Sequence, residues 1–389
     1  MNRPFDAIID REGTNSIKWD YRQEVFGTQD VLPLWVADMD FACPPCVVDA
    51  VVKRAKHPIY GYPGKPKEMF HAAADWIDRR FGVTVSPSSM TTVPGIVPGL
   101  HIAVEAFTKP GDKVIVQSPV YYHFYQAVEN RGCQVVENPL RETDGTYGMD
   151  LDDLCKKLDE RTKLLILCSP HNPVGRVWTR EELERLGTIC AQRDIIVVSD
   201  EIHADLVYEK GRHVPYYSLP SALSQQSITF ISTSKTFNLA GLFSSLALSE
   251  NPRILRAFRD AMRKLGLEFL NVFGIEAMTT AYREGEPWLD DLLVYLHGNA
   301  TYIHQYLHER IPQVKMRIPE ATYLGWMDFR DSGIPHGELK TWLVKQARIG
   351  LSDGASFGKQ GAGFQRINFA CPRATVEEAM KRLDKALNG

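Results

Sequence analysis

Four short aliphatic runs constrain this chain more than anything else in it. Val114-Ile115-Val116, Leu164-Leu165-Ile166-Leu167, Ile195-Ile196-Val197-Val198 and Ile228-Thr229-Phe230-Ile231 contain no charge. A run this short, without polar alternation, has no solvent face and reads as a strand buried on both sides. Between the runs lie stretches of helical periodicity with recognisable starts. Thr179 and Glu182 form a capping-box pattern ahead of Leu183, Leu186 and Cys190, and Asp150 stands where it caps a turn presenting Leu151, Leu154 and Leu158. Strands alternating with helices predict an α/β fold, a mostly parallel sheet covered by helices on both faces.

The pattern changes after about residue 285. A long helical stretch over 288–310 is followed by the short runs Met316-Arg317-Ile318, Tyr323-Leu324-Gly325-Trp326-Met327 and Arg366-Ile367-Asn368-Phe369. A closing helix is expected from Thr375, with Glu378 completing a capping box and Val376, Met380, Leu383 and Leu387 on one face. The chain therefore divides into a large domain over 51–285 and a smaller α+β domain over 286–389, with the segment 1–50 joining the small one.

Bulk properties narrow the function classes. A net charge of −3 gives no basic footprint for nucleic acid, and no apolar stretch reaches membrane-spanning length. The seven cysteines, an odd number in 389 residues, suggest reduced thiols and a cytoplasmic protein without a signal segment. Cys43 and Cys46 flank two prolines with no second ligand pair, so no metal is expected there.

The buried runs end in Gln117-Ser118-Pro119, Cys168-Ser169-Pro170, Ser199-Asp200-Glu201 and Ser232-Thr233-Ser234-Lys235. Open α/β sheets bind ligands at the C-terminal ends of their strands. Turn chemistry accounts for Ser118 and Ser169, but not for a carboxylate and a lysine at two such ends. An amine to engage an aldehyde and an acid to pair with a ring nitrogen are what pyridoxal phosphate requires. Its remaining needs have candidates too. Gly95-Ile96-Val97 opens a helical pattern whose N–H groups suit a phosphate, and Ser232 and Ser234 offer hydroxyls. Asn172 suits the ring oxygen, one of Tyr121 and Tyr122 the ring face, and Arg366 a substrate carboxylate gripped by two parallel bonds. Singly, each has an ordinary reading: a helix-preceding turn, an Asn-Pro turn, rim packing, a surface salt bridge.

As an ordered set they carry more. Asn172-Pro173-Val174-Gly175, Ser199-Asp200-Glu201-Ile202, Ser232-Thr233-Ser234-Lys235 and Arg366-Ile367-Asn368 resemble the motifs of the fold-type-I pyridoxal phosphate enzymes, the aspartate aminotransferase superfamily. Gly13-Thr14-Asn15-Ser16-Ile17-Lys18-Trp19-Asp20, Leu34-Trp35-Val36-Ala37-Asp38-Met39-Asp40-Phe41 and Pro287-Trp288-Leu289-Asp290 look like signatures of the MalY/PatB group of cystathionine β-lyases. That resemblance implies an aspartate-aminotransferase-like fold and elimination from an L-amino acid bearing a β-thioether or thiol, with an aminotransferase as the alternative. It implies Lys235 as cofactor anchor and α-proton base, Asp200 as partner of the ring nitrogen, and Arg366 with the backbone near Ala37 as the carboxylate site. Tyr121 is a candidate for stacking and for proton transfer to the leaving sulfur; Tyr122 and Asn172 are candidates for substrate contact. His203 stands where many aminotransferases carry a tyrosine, and the position of their phosphate-binding arginine falls at Phe243. The resemblance further implies a homodimer with shared sites, in which Tyr62, in preference to Tyr60, reaches the partner's phosphate. The segment Gly350-Leu351-Ser352-Asp353-Gly354-Ala355-Ser356-Phe357-Gly358 departs from the group and is expected near the substrate entrance.

Overall fold

The structure is a computed structural model that describes residues 5–389. Its main sheet contains β1 (Met90–Val93), β2 (Lys113–Val116), β3 (Gln134–Glu137), β4 (Thr162–Cys168), β5 (Ile196–Asp200), β6 (Ser227–Ile231) and β7 (Ser245–Leu248). The strand order is β1-β7-β6-β5-β4-β2-β3; all neighbours pair in parallel except β7, which is antiparallel to both β6 and β1.

The uncharged runs explain why this sheet is covered twice. Successive side chains on a strand point to opposite faces. Val114, Val116, Leu164, Ile166 and Val198 pack into one core with Leu100 and Phe258, while Ile115, Leu165, Leu167 and Val197 pack into another with Trp178, Leu183 and Leu186. Thr179 and Glu182 complete the expected capping box of the helix Arg180–Ala191, and Asp150 caps Leu151–Lys157 by accepting from the Asp153 N–H.

Beyond the sheet, the helix Glu286–Arg310 turns Leu289, Leu292, Leu296, Ile303 and Leu307 inward. It packs beside a second, antiparallel sheet of β8 (Lys315–Met316), β9 (Leu324–Asp328), β10 (Ser352–Asp353) and β11 (Phe364–Asn368), in the order β8-β9-β11-β10. In the N-terminal segment, Leu32–Pro33 pairs in parallel with Ile349–Gly350. The closing helix differs from expectation. It spans Arg373–Asn388 with Pro372 at its N-cap and no side-chain cap, so Thr375 and Glu378 form no capping box. Pro372 lies at φ −51°, and its carbonyl already accepts from the Thr375 N–H, which places Thr375 inside the first turn. Val376, Met380 and Leu383 are buried as the periodicity predicts, and Leu387 is partly buried against the same core. Among the described residues no helix is long and apolar enough to cross a membrane, and all seven cysteines are free thiols.

Candidate active site

Strand register brings the site together. Cys168 at the end of β4 lies opposite Asp200 at the end of β5, and Asp200 lies opposite Phe230 of β6. The loop holding Asn172, the carboxylate of Asp200 and the turn holding Lys235 therefore leave the sheet at one height. That turn is a single helical turn, Thr233–Thr236, with Ser232 as its N-cap. A cleft of about 180 Å³ opens here, lined by Ala37, Gly95, Ile96, Val97, Tyr121, Asn172, Asp200, His203, Ser234, Lys235 and Phe243, with Cys168 in its wall. A larger cleft of about 500 Å³ lies between residues 141–148 and the small sheet, but contains none of the candidate residues. Convergence of ionisable groups, not volume, identifies the site.

Burial sets the electrostatics. Desolvation pushes the Asp200 carboxyl up to about 7, although the Ile202 N–H donates to its Oδ1 at 3.1 Å and Lys235 is nearby. Desolvation pushes the Lys235 amine down to about 8, with Asp38 and Asp200 opposing and Arg366 reinforcing. Its Nζ donates to the Ala37 carbonyl at 2.5 Å, which also accepts from the Tyr323 hydroxyl at 2.9 Å. His203 is buried, and desolvation holds its pKa well below the ordinary imidazole value; its Nδ1 has no partner and its ring meets Tyr323 edge-on at 5.9 Å. The Tyr121 hydroxyl is pushed upward by desolvation and by Tyr122, so it keeps its proton at neutral pH.

Arg366 stands next to the cleft, on β11. It donates to Asn172 Oδ1 and to the Trp35 carbonyl, both at 3.0 Å, and to Ser352 Oγ at 3.2 Å, and its guanidinium lies over the Phe357 ring at 4.8 Å. None of these partners is a carboxylate, and its buried Nε has no partner. Desolvation lowers its pKa to about 10. A buried guanidinium without a counter-ion is electrostatically incomplete, and a carboxylate completes it.

The segment 35–41 supplies both the Trp35 and the Ala37 carbonyl without forming regular structure beyond Leu32–Pro33. Its backbone groups must then find side-chain partners. Asn238, three residues after Lys235, accepts from the Met39 N–H and donates to the Met39 and Phe41 carbonyls. Asn368 donates to the carbonyls of Val36 and Asp38. Fully buried Lys18 pairs with Asp40 at 2.6 Å, and Arg11 bridges Asp38 and Asp40 at 2.7 Å each. The residues Lys18, Trp19, Asp38 and Asp40 of the N-terminal signatures thus form one polar knot around buried Lys18 and Asp40, with Trp19 Nε1 donating to Asp40 at 3.0 Å.

Besides Arg366, three candidates do not line the cleft. Ser232 donates to the Ser244 carbonyl at 2.8 Å and accepts from the Ser234 N–H as the cap of the lysine turn, directly behind Ser234 of the cleft wall. Tyr122 lies beside Tyr121 with ring centroids 4.9 Å apart, and is partly exposed. Tyr62 is 96% exposed and packs on Phe269, away from the cleft of its own chain. Local sequence offers no signal for Tyr323, and for the Trp35 carbonyl only its place in a signature beside Ala37. Ser352 lies in the divergent segment 350–358. Phe357 lies in the divergent segment singled out above, and that divergence was the only pointer to it.

The residues present fit pyridoxal phosphate. An amine and a buried acid face one cleft, His203 offers an unpartnered imidazole, and Gly95 at φ +109° leads into the 12-residue helix Ile96–Phe107, whose N-terminal N–H groups adjoin Ser234. Phe243 occupies the rim and supplies no charge to a phosphate.

The family profile described as Aminotransferase class I and II matches residues 29–383. The chain belongs to that family. It is 42% identical over 386 residues to the cystathionine β-lyase PatB of Bacillus subtilis, covering 99% of this chain and 100% of the relative. A PLP-bound protein of Clostridium difficile 630, provisionally named an aminotransferase, superposes with a TM-score of 0.97 at 38% identity over the whole of both chains. Cystalysin of Treponema denticola, which contains pyridoxal 5'-phosphate, superposes with a TM-score of 0.95 at 35% identity, covering 100% of this chain and 99% of that one. Within the family the chain belongs with the PatB and MalY proteins.

Proposed function

We propose that this chain is a pyridoxal phosphate-dependent C–S β-lyase acting on L-cystathionine or related cysteine conjugates. The observation that carries the reading is the meeting of Lys235, Asp200 and a guanidinium lacking a counter-ion, Arg366, around one cleft, in a chain 42% identical to a cystathionine β-lyase along its length. The cofactor, when bound, supplies an aldehyde for amino groups and a ring that accepts electrons from the α-carbon. Asp200 would hold the ring nitrogen, its carboxylate favouring the protonated ring. Asn172 would hold the ring oxygen, Tyr121 would cover a ring face, and the N-terminus of Ile96–Phe107 with Ser234 would hold the phosphate.

Arg366 and a backbone N–H near Ala37 hold the substrate carboxylate, with Tyr122 and Asn172 at its side. Fixing that carboxylate aims the α C–H bond at Lys235. Lys235 Nζ takes the α-proton, a task suited to an amine whose pKa burial has lowered to about 8. The C–S bond breaks with its electron pair leaving on sulfur. Tyr121, protonated at neutral pH, stands ready to protonate that sulfur. Water then completes conversion of the three-carbon fragment to pyruvate and ammonia.

The same residues also serve an aminotransferase until the β-substituent leaves. The test mixes enzyme, cofactor and L-cystathionine with no 2-oxo acid present. Sustained release of pyruvate and thiol is expected; a single half-turnover that then stops overturns the lyase reading in favour of transamination. The reading includes a homodimer in the cytoplasm, with the large domain over 51–285, the small one over 286–389 and the segment 1–50 joined to it. Tyr62 and Phe269 support the dimer: both are exposed aromatics, 96% and 61% accessible, at the outer surface of one chain. Light scattering at twice the 44.0 kDa chain mass, and weaker cofactor retention in Tyr62→Phe, are the expected results.

A further inference from the structure

Lys235 is carried by a helical turn only four residues long, Thr233–Thr236. So short a turn is poorly stabilised by its own hydrogen bonds, because nucleation fixes several dihedrals for one bond. The position of the amine therefore depends on what grips the turn from outside. N-terminal to the lysine the grip is the Ser232 cap. C-terminal to it, Thr236 and Phe237 are both fully buried. Thr236 Oγ1 donates to Asp205 Oδ2 at 2.9 Å, and Trp76 Nε1 donates to the other oxygen, Oδ1, at 3.0 Å. The Trp76 ring in turn packs edge-on against Phe237 at 5.6 Å. One carboxylate and one indole thus clamp the two residues that follow the lysine.

Asp205 is buried, and its nearest cation, Arg80, is 4.0 Å away and shared with Glu286 and Asp290. Burying a carboxylate is costly unless its hydrogen bonds are well made. Here both of its oxygens receive donors that touch the lysine turn or its packing partner. Asp205 also lies five residues after Asp200, on the segment leaving β5. The segment that presents the acid of the site therefore also holds the turn that presents its amine.

We propose that Asp205 is a positioning residue that fixes Lys235 relative to Asp200 through Thr236, with Trp76 holding the carboxylate in place. This rests on the reading of Lys235 as cofactor anchor and proton base. Asp205 touches neither cofactor nor substrate, so its loss acts on kcat and spares KM.

Two substitutions at Thr236 separate positioning from packing. Thr236→Val keeps the volume and removes the hydroxyl; Thr236→Ser keeps the hydroxyl and removes a buried methyl. Purified holoenzymes are compared by pyruvate release, by pH titration of the near-ultraviolet and visible absorbance of the bound cofactor, and by thermal unfolding. Thr236→Val is expected to lower kcat about tenfold with KM within about twofold, because small misplacements of a reacting group are expensive. Its absorbance titration midpoint moves away from that of the parent. Thr236→Ser is expected to unfold at a lower temperature than the parent and yet keep its kcat and titration midpoint. Asp205→Asn, with a single acceptor oxygen for two donors, lowers kcat by a similar factor, and the double variant with Thr236→Val adds nothing further. The proposal is overturned if Thr236→Val keeps the parent kcat and midpoint, if kcat follows unfolding temperature across the set, or if the two losses multiply. A parent chain that shows no cofactor absorbance after reconstitution overturns the reading of Lys235, and the clamp with it; a parent that shows it beside an unaffected Thr236→Val removes the clamp alone.

Discussion

The two halves of the site are built by different means. Asp200, Asn172 and Lys235 sit at or just beyond the ends of adjacent parallel strands, where backbone pairing aligns them. Arg366 and the Trp35 and Ala37 carbonyls come from chain ends more than 300 residues apart, tied by side-chain hydrogen bonds from Asn368 and Ser352. The cofactor half takes its alignment from a sheet ladder, with the Lys235 turn held in addition by the Thr236–Asp205 contact. The substrate half depends on individual polar contacts, each of which one substitution removes. Damage to the first half is therefore expected to appear in chemistry, and damage to the second in substrate affinity and stability.

The largest effect tests the cofactor half. Lys235→Ala removes the base, and kcat for pyruvate release is expected to fall about 10⁴-fold; a loss below tenfold would place the proton base elsewhere. Asp200→Asn comes next, with kcat/KM about 10³-fold lower, since a neutral partner no longer favours the protonated ring. On the other side, Arg366→Lys replaces a two-pronged donor by a point charge, and kcat/KM is expected to drop about 10²-fold. The comparison sharpens if the bound-cofactor absorbance of Arg366→Lys matches the parent, and breaks if it shifts as it does for Asp200→Asn.

Smaller effects follow from the polar knot and from pH. Lys18→Met leaves the buried Asp40 with fewer partners and is expected to cost about 3 kcal/mol in denaturant unfolding, with kcat/KM falling through loss of the 35–41 geometry. In the cofactor-stripped enzyme the folded Asp200 titrates near 7, above its unfolded value near 3.9. The folded state then binds more protons between those limits, so stability falls as pH rises from about 4 to 7, by at most about 1.4 kcal/mol per pH unit. Lys235, near 8 when folded, has the opposite sign and adds stability as pH rises from about 8 to 10.4. Urea titrations are expected to show the parent losing stability relative to Asp200→Asn as pH rises from about 4 to 7.

Legibility follows the same division. Four of the seven main-sheet strands, their double coverage, the Arg180–Ala191 capping box and the strand-end residues are readable because periodicity and turn chemistry are local, whereas Met90–Val93, Gln134–Glu137 and Ser245–Leu248 carry no such run. Asn172, Asp200 and Lys235 were readable as an ordered set, and Arg366 as a motif. Its partners are only partly so: Ser352 and Phe357 lie in the divergent segment and Trp35 in a signature, but no local pattern places them around one guanidinium. The closing helix was misplaced at its start because a Thr-x-x-Glu pattern outweighed Pro372, whose fixed φ starts the helix two residues earlier. That Ser232 also caps the lysine turn and donates to the Ser244 carbonyl is not readable from its position near Lys235.

By itself, then, the sequence determined the doubly covered parallel sheet and the chemistry collected at its edge, because burial on two faces and helix starts are written in neighbouring residues. Only the tertiary structure decided which carbonyls Lys235 and Arg366 meet, that Lys18 vanishes into a buried knot, and that Asp205 grips the residue after the lysine. Those contacts join residues 22 to 331 positions apart, and no local pattern encodes a partner at that distance.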